Sequence, residues 1–262
     1  MVNNMADEDL PHKINQVAKI IQDAQHLVAF TGAGISTDSG IPDFRSDSSG
    51  LWKRTDIDPL EVASLFGFRR SPATFYEWVK PLAITILGAK PNESHLALAR
   101  LEHRGTLKSV ITQNIDMLHT RAGNSTVFEL HGHMRQTTCI RCYTVFDGVP
   151  ILEKFLDDGR VPHCPHCGGV LKPNVILFGE QLPVRELRGA QDATKKCDVM
   201  LVVGSSLEVA PANQLPVIAK RNHAKLVIIN LEETHLDHIA DVVIHARAAQ
   251  IFSQILAQLQ DV

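Results

Sequence analysis

The 262-residue chain has no apolar run near the roughly 18 residues that a membrane-spanning helix needs. Its first ten residues, Met1 to Leu10, carry neither a basic segment nor an apolar core, so no secretory signal is read there. A basic excess is also missing. The 26 Lys and Arg face 29 Asp and Glu, a formal net charge of -3, which argues against nucleic acid as a main partner. Internal repeats and low-complexity tracts are absent. Cysteine is scarce, with five in the chain, an odd number, and four of them fall in two Cys-x-x-Cys pairs. Without a leader, such pairs suggest metal rather than disulfides. The expected location is therefore cytoplasmic, where the glycosylation patterns Asn92-Glu93-Ser94 and Asn124-Ser125-Thr126 are chance matches. What is present is a globular composition, 44% hydrophobic and 21% charged, long enough for one large domain and a smaller module.

Five short Val/Ile/Leu-rich segments read as strands buried on both faces: Leu27–Phe30, Ser109–Thr112, Asp198–Val203, Lys225–Ile229 and Asp241–Ile244. Helical spacing recurs between them, over Ile14–Ala24, Ser94–His103, Arg185–Lys195, Pro211–Lys220 and Ala248–Leu259. Alternation of this kind predicts an α/β fold with a parallel, Rossmann-like sheet covered by helices on both faces. Two stretches break the rhythm, 46–86 and 137–171. They read as excursions, one of short helices and one carrying both cysteine pairs, out of a discontinuous large domain of residues 1–45, 87–136 and 172–262.

The second excursion holds Cys139-Ile140-Arg141-Cys142 and Cys164-Pro165-His166-Cys167, with 21 residues between the pairs. Two thiolates at i and i+3 bite one side of a tetrahedral ion, and a second pair closes it. The spacing lies just outside the common zinc-ribbon window of about 15–20 residues. Chance pairs and a redox dithiol are the alternatives. Pro165 and Gly168-Gly169 supply turns around the second pair and favour one structural Zn2+ on Cys139, Cys142, Cys164 and Cys167. Cys197 precedes an apolar strand and reads as a small core residue.

The richest stretch runs from Thr31-Gly32-Ala33-Gly34-Ile35-Ser36-Thr37 to Gly40-Ile41-Pro42-Asp43-Phe44-Arg45, directly after the first strand. A glycine turn there lets backbone N–H groups approach a pyrophosphate, and a following helix points its positive end at the same anion. Thr37 replaces the third glycine of the usual fingerprint, so spacing alone is weak evidence. Thr112-Gln113-Asn114-Ile115-Asp116 ends a second strand. Its polar side chains suit either a ligand site or a capped helix start.

Together these strings resemble the signatures of the sirtuin family, the NAD-dependent protein-lysine deacylases, of bacterial type with a four-cysteine zinc module. The likeness runs from about Ile20 to the C-terminus, and it implies that the excursions 46–86 and 137–171 join as one smaller zinc-binding and helical domain inserted in the Rossmann-like one. It implies NAD as a consumed co-substrate bound by Gly32, Ala33, Gly34, Thr37, Asp43, Phe44, Arg45, Gln113, Asn114, Ile115 and Asp116. Val203-Gly204-Ser205-Ser206-Leu207 resembles the family's Gly-Thr/Ser-Ser turn. Asn230, Leu231 and Glu232 end the next strand near the adenosine ribose, and Ala248 matches an adenine contact. His131, in Glu129-Leu130-His131-Gly132, stands where the family has its catalytic base. Asn114 would orient the ribose and a water, and Asp116 would hold the nicotinamide carboxamide. Phe44 would shield the reacting centre, and Arg45 would position the cofactor loop. Val175, Ile176, Phe178, Gly179 and Glu180 match a loop on which an acyl-lysine peptide lies as an added strand. His133 has no such match. The implied products are the deacylated lysine, nicotinamide and O-acyl-ADP-ribose.

Two other classes fit parts of the sequence. A hydride-transfer dehydrogenase would generate NADH and leaves the cysteine module unexplained. A non-catalytic zinc-ribbon binder would not turn NAD over. Protein ADP-ribosylation is a third alternative, within the family. Tyr76-x-x-Val79 aligns with a Tyr-x-x-Arg pair that grips succinyl and malonyl carboxylates in one sirtuin subgroup. The missing arginine predicts a preference for acetyl-lysine.

Overall fold

A computed structural model of the chain describes residues 9–43 and 58–259. In chain order the elements are α1 (Leu10–Asp23), β1 (Leu27–Thr31), α2 (Pro59–Val62), α3 (Leu65–Arg70), α4 (Pro72–Gly88), α5 (Glu93–His103) and β2 (Leu107–Thr112). They continue with α6 (Leu118–Ala122), β3 (Val127–Glu129), β4 (Gly132–Cys139), β5 (Val145–Asp147), α7 (Gly148–Asp158) and β6 (Leu171–Val175). The last are α8 (Val184–Lys196), β7 (Val199–Val203), α9 (Gln214–Arg221), β8 (Lys225–Ile229), β9 (Val242–Ile244) and α10 (Ala248–Leu259).

Six strands form one sheet in the order β3-β2-β1-β7-β8-β9, and every pairing in it is parallel. Alternation along the strands sends side chains to two separate cores. Leu27 and Ala29 of β1 meet Ile14, Leu98, Ile251 and Phe252 from α1, α5 and α10. Val28 and Phe30 face the opposite side, with Ala190, Leu215 and Ala219 from α8 and α9. Fully burying a side chain such as Phe252 or Ile255 is worth about 1.5–3 kcal/mol, so these faces fix the register. The doubly wound reading holds. The sheet has a sixth strand, β3, which is only three residues long and lies on the edge.

The ends of the expected strands shift where a polar residue ties rather than pairs. The Asp198 carboxylate accepts N–H bonds from Gln25 (2.7 Å) and His26 (2.9 Å), and β7 begins one residue later. Asp241 likewise accepts from Leu226 N–H at 2.7 Å, ahead of β9. The helix expected from Pro211 begins at Gln214, which places Pro216 in the first turn, where no intrahelical N–H is needed.

A second, antiparallel sheet has the order β5-β4-β6. A third apolar cluster joins Phe68, Phe75, Tyr76, Val79 and Leu82 of α3 and α4 to Leu152 and Phe155 of α7 and to Met134 and Val175 of the small sheet. The boundary placed at 86/87 falls inside α4, which runs to Gly88, and the one at 136/137 falls inside β4.

Candidate active site and metal centre

In the six-stranded sheet the chain turns in opposite directions from β1 and β7, so their carboxyl ends open a crevice between diverging connections. The loops after these strands touch there. Gly34 N–H donates to Gly204 O at 2.8 Å, and Gly32 N–H to Val203 O at 3.2 Å. A Cβ on Gly34 would stand 2.9 Å from Gly204 Cα. Gly204 itself has φ +58°, the left-handed region that favours glycine. The glycines are thus required first by the contact between two loops. The helix expected after the turn is a seven-residue 3-10 helix, Ala33–Ser39. Its N–H groups at Gly34 and Ile35 are taken by Gly204 O and Gly32 O.

Above this contact lies a cleft of about 780 Å³, within the usual range of small-molecule sites. Gly32, Ala33, Gly34, Thr37, Asp43, Gln113, Asn114 and His131 line it, together with Gly204, Ser205, Ser206, Asn230, Leu231, Glu232 and Ala248. Phe44 and Arg45 lie outside the described residues. Sequence reasoning missed Ile41, Pro42, Pro81, Leu82, Thr85, Val209 and Arg247, which also line the cleft. The α4 residues among them lie far from any glycine or polar motif, so only the fold reveals them.

Within the cleft, the His131 Nδ1–H donates to Gln113 O at 3.0 Å. Because a carbonyl only accepts, this bond fixes the tautomer and leaves Nε2 as the proton acceptor. Burial pushes the His131 pKa below its ordinary 6.5, and the bond to Gln113 opposes that shift. Gln113 Nε2 donates to Ser205 Oγ at 2.9 Å, linking the β2 and β7 loops. Asn114 Nδ2 donates to Gly32 O (3.0 Å) and to Ser36 Oγ (3.1 Å).

Asp116 and Ile115 are not part of the cleft lining. The Asp116 carboxylate is buried beneath Asn114, where it accepts from the Ser36 hydroxyl at 2.6 Å and from Leu118 N–H at 2.9 Å. Burial raises its pKa, and these bonds pull it back. The Ser36 proton points to Asp116, so the Ser36 oxygen accepts from Asn114 and, at 3.5 Å, from His95 Nε2. His95 in turn closes the N-cap of α5 with Asn92. Ser36 and His95 are supports that the sequence left unmarked. Ser36 sat inside the quoted string, whereas nothing local to α5 points to His95.

Val175, Ile176, Phe178, Gly179 and Glu180 lie outside the cleft lining but next to His131, whose carbonyl accepts from Ile176 N–H at 2.8 Å. Phe178 is already paired on one edge. It donates to Ala63 O (2.9 Å) and accepts from Leu65 N–H (3.0 Å). His133 is half-buried, with Nε2 4.0 Å from Glu129, and burial pushes its pKa down to about 4.

The four sulfurs of Cys139, Cys142, Cys164 and Cys167 lie within 4.8 Å of one another. Cys139 Sγ is 3.4 Å from Cys167 Sγ, and Cys142 Sγ is 3.6 Å from Cys164 Sγ. A tetrahedral zinc about 2.3 Å from each sulfur would space them by about 3.8 Å, so the set fits one zinc. A Cβ on Gly169 would stand 2.8 Å from Cys139 Sγ, so glycine is needed for the second knuckle to close. Four thiolates complete the shell and make the site structural. His163 and His166 stay out of it: His163 Nδ1 bonds Val161 O, and His166 stacks on Phe146. Cys197 is buried, and burial pushes its thiol up to about 12, as suits an inert core residue.

The comparisons agree with this geometry. Residues 32–211 match the model of the Sir2 family. The NAD-dependent protein deacylase 2 of Archaeoglobus fulgidus is 46% identical, with 95% of this chain and 96% of that protein covered. The NAD-dependent protein deacetylase of Caldivirga maquilingensis is 45% identical, with 94% of each chain covered. A solved Sir2 structure with a p53 peptide and NAD+ superposes with a TM-score of 0.85 at 37% identity, covering 95% of this chain and 99% of that one. A Sir2 enzyme bound to a propionylated peptide gives the same TM-score, identity and coverage. No described helix is long and apolar enough to cross a membrane. With a cleft at the sheet's switch point, a four-cysteine metal site and matches over nearly its whole length, the chain belongs to the Sir2 family, the sirtuins.

Proposed function

We propose that this chain removes acyl groups from protein lysines and consumes NAD in doing so. The carrying observation is the convergence of His131, Asn114 and the loops after β1, β7 and β8 on one cleft. Relatives named NAD-dependent deacylases and deacetylases, and neighbours holding acylated peptides and NAD+, support the reading.

The cleft fits a dinucleotide along its length. Asn230 and Glu232 would bind the adenosine ribose beside Ala248. Ala33 N–H and the hydroxyls of Ser205 and Ser206 would meet the phosphates. Gln113 and Asn114 would flank the nicotinamide ribose. When bound, NAD supplies a glycosidic bond that can break and a ribose that can take the acyl group. Asn114 is held by two donated bonds and positions what enters. His131 Nε2 accepts a ribose hydroxyl proton as general base, and its Nδ1–H stays on Gln113 O. Asp116 acts from below the floor and orients Ser36 and Asn114, because both its oxygens are already engaged.

The substrate peptide docks on the segment 175–180 on the edge away from Ala63 and Leu65. The acyl group passes between the large domain and the helical and zinc modules, which act as the smaller domain. We further propose a preference for neutral acyl chains. Val79 packs inside the apolar cluster, and Tyr76 is buried with its hydroxyl donating to Leu171 O at 2.7 Å. The α4 residues lining the cleft are Pro81, Leu82 and Thr85, none of them cationic. Arg70 is engaged at the surface with Glu61. A succinyl carboxylate would find no cationic partner among the described α4 residues of the cleft, which is costly. The expected working place is the cytoplasm.

The test is NAD-dependent nicotinamide release on matched acetyl- and succinyl-lysine peptides. Release with acetyl-lysine and a lower kcat/KM for succinyl-lysine is expected. Equal or better succinyl turnover would overturn the selectivity, and no release on any acyl peptide would overturn the activity.

A further inference from the structure

Lys172, on β6, is one of the most enclosed lysines of the fold, with its side chain 11% exposed. Its ammonium has three N–H donors and three partners. They are Val175 O at 2.7 Å, Pro173 O at 3.2 Å and Glu180 Oε2 at 2.9 Å. The same Glu180 oxygen accepts from Leu177 N–H at 2.8 Å. A charge taken out of water is costly unless it is paired and hydrogen-bonded, and here both partners meet that condition. All of these contacts lie within residues 172–180, so the pair closes one loop back on its own strand rather than joining distant elements. Phe178 faces Ala63 and Leu65, and the bond from Glu180 N–H to Leu177 O closes a turn over 177–180 in which Gly179 has φ +86°. Leu177 spends its main-chain groups on Glu180: N–H to the carboxylate, C=O to Glu180 N–H at 2.9 Å. Lys172 and Glu180 therefore hold the turn that ends the 175–178 run.

We propose that Lys172 is a positioning residue for peptide docking: through Glu180 it holds the 177–180 turn and with it the shape of the 175–180 segment. This rests on the deacylase reading and on that segment as its peptide edge. Lys172 touches neither the cleft nor His131, so its loss should act on the peptide and not on NAD.

The test uses the full-length zinc-loaded enzyme with an acetyl-lysine peptide and NAD. In Lys172→Met, which keeps the stem and removes the donors, KM for the peptide should rise about tenfold, equivalent to about 1.4 kcal/mol. KM for NAD and kcat should stay within about twofold, since their binding groups are untouched. Glu180→Gln, on the docking segment itself, should also raise the peptide KM, and Lys172→Arg should restore most of the loss because it keeps charged donors. Hydrogen exchange of amides 176–180 should speed up in Lys172→Met without any substrate present. An unchanged peptide KM with unchanged exchange overturns the proposal. So does a fall in kcat with both KM values unchanged, or unfolding of Lys172→Met and Glu180→Gln alike. A wild-type enzyme without NAD-dependent turnover would overturn the deacylase reading instead, and the exchange comparison would still decide whether Lys172 shapes the loop.

Discussion

His131 is one of thirteen histidines and the single one among the described residues lining the cleft, where its Nδ1–H donates to Gln113 O. Replacing it with Ala should lower kcat/KM by about 10²–10⁴, the usual worth of a positioned base, with fold and zinc content unchanged. Near-wild-type turnover in a folded, zinc-loaded variant would reject the role. The pH dependence follows from the same residue. Catalysis needs the neutral ring, and burial lowers the pKa from 6.5. The acid limb of log kcat/KM against pH should therefore have its midpoint below 6.5, with a plateau through neutrality. A midpoint above 7 would contradict the assignment. Residues at strand ends, such as Gln113, Asn114 and Ser205, were legible through the resemblance to sirtuin strings, since polarity after a strand alone left a capped helix start or an ordinary connection open, and they line the cleft. Ser36 and His95 were not, because their value comes from a network that only the folded chain assembles.

Among the elements, the zinc module was the most legible, since two Cys-x-x-Cys turns have few ways to satisfy four thiolates. Cys142→Ser should lose the metal and melt at a lower temperature, with activity falling in step, because closing the site is coupled to folding the module. Metal analysis finding no zinc in freshly purified, unchelated wild-type protein would sink this. The strand β3 was not legible, because Val127-Phe128-Glu129 follows polar Ser125-Thr126 and ends on a charge, whereas the equally short edge strand β9 is an all-aliphatic Val-Val-Ile run. The turn after β1 was legible as a turn but misread in its helix. The 3-10 geometry comes from packing against Gly204, which lies far along the chain.

Over the whole molecule, the doubly wound sheet could be read from five apolar runs, whereas the insertion boundaries could not. The helix α4 and the strand β4 each run through a point where the composition changes. The fold also carries buried neutral histidines. Burial pushes His95 down to about 2 and His119 to about 4. Between pH 6.5 and 4 the unfolded chain binds more protons than the native one. The unfolding free energy therefore falls as pH falls, by up to about 1.4 kcal/mol per pH unit for each such histidine. Urea unfolding at pH 7, 6 and 5 should show midpoints dropping below pH 6.5, with metal analysis at each pH to separate zinc loss. A midpoint constant from pH 7 to 5 would contradict it.

The most direct measurement is a product balance after incubating the protein with NAD and an acetyl-lysine peptide. One nicotinamide and one O-acetyl-ADP-ribose per deacetylated lysine are expected, with no NADH absorbance. Growth of NADH absorbance, or nicotinamide release without loss of the acetyl group, would contradict the proposed reaction.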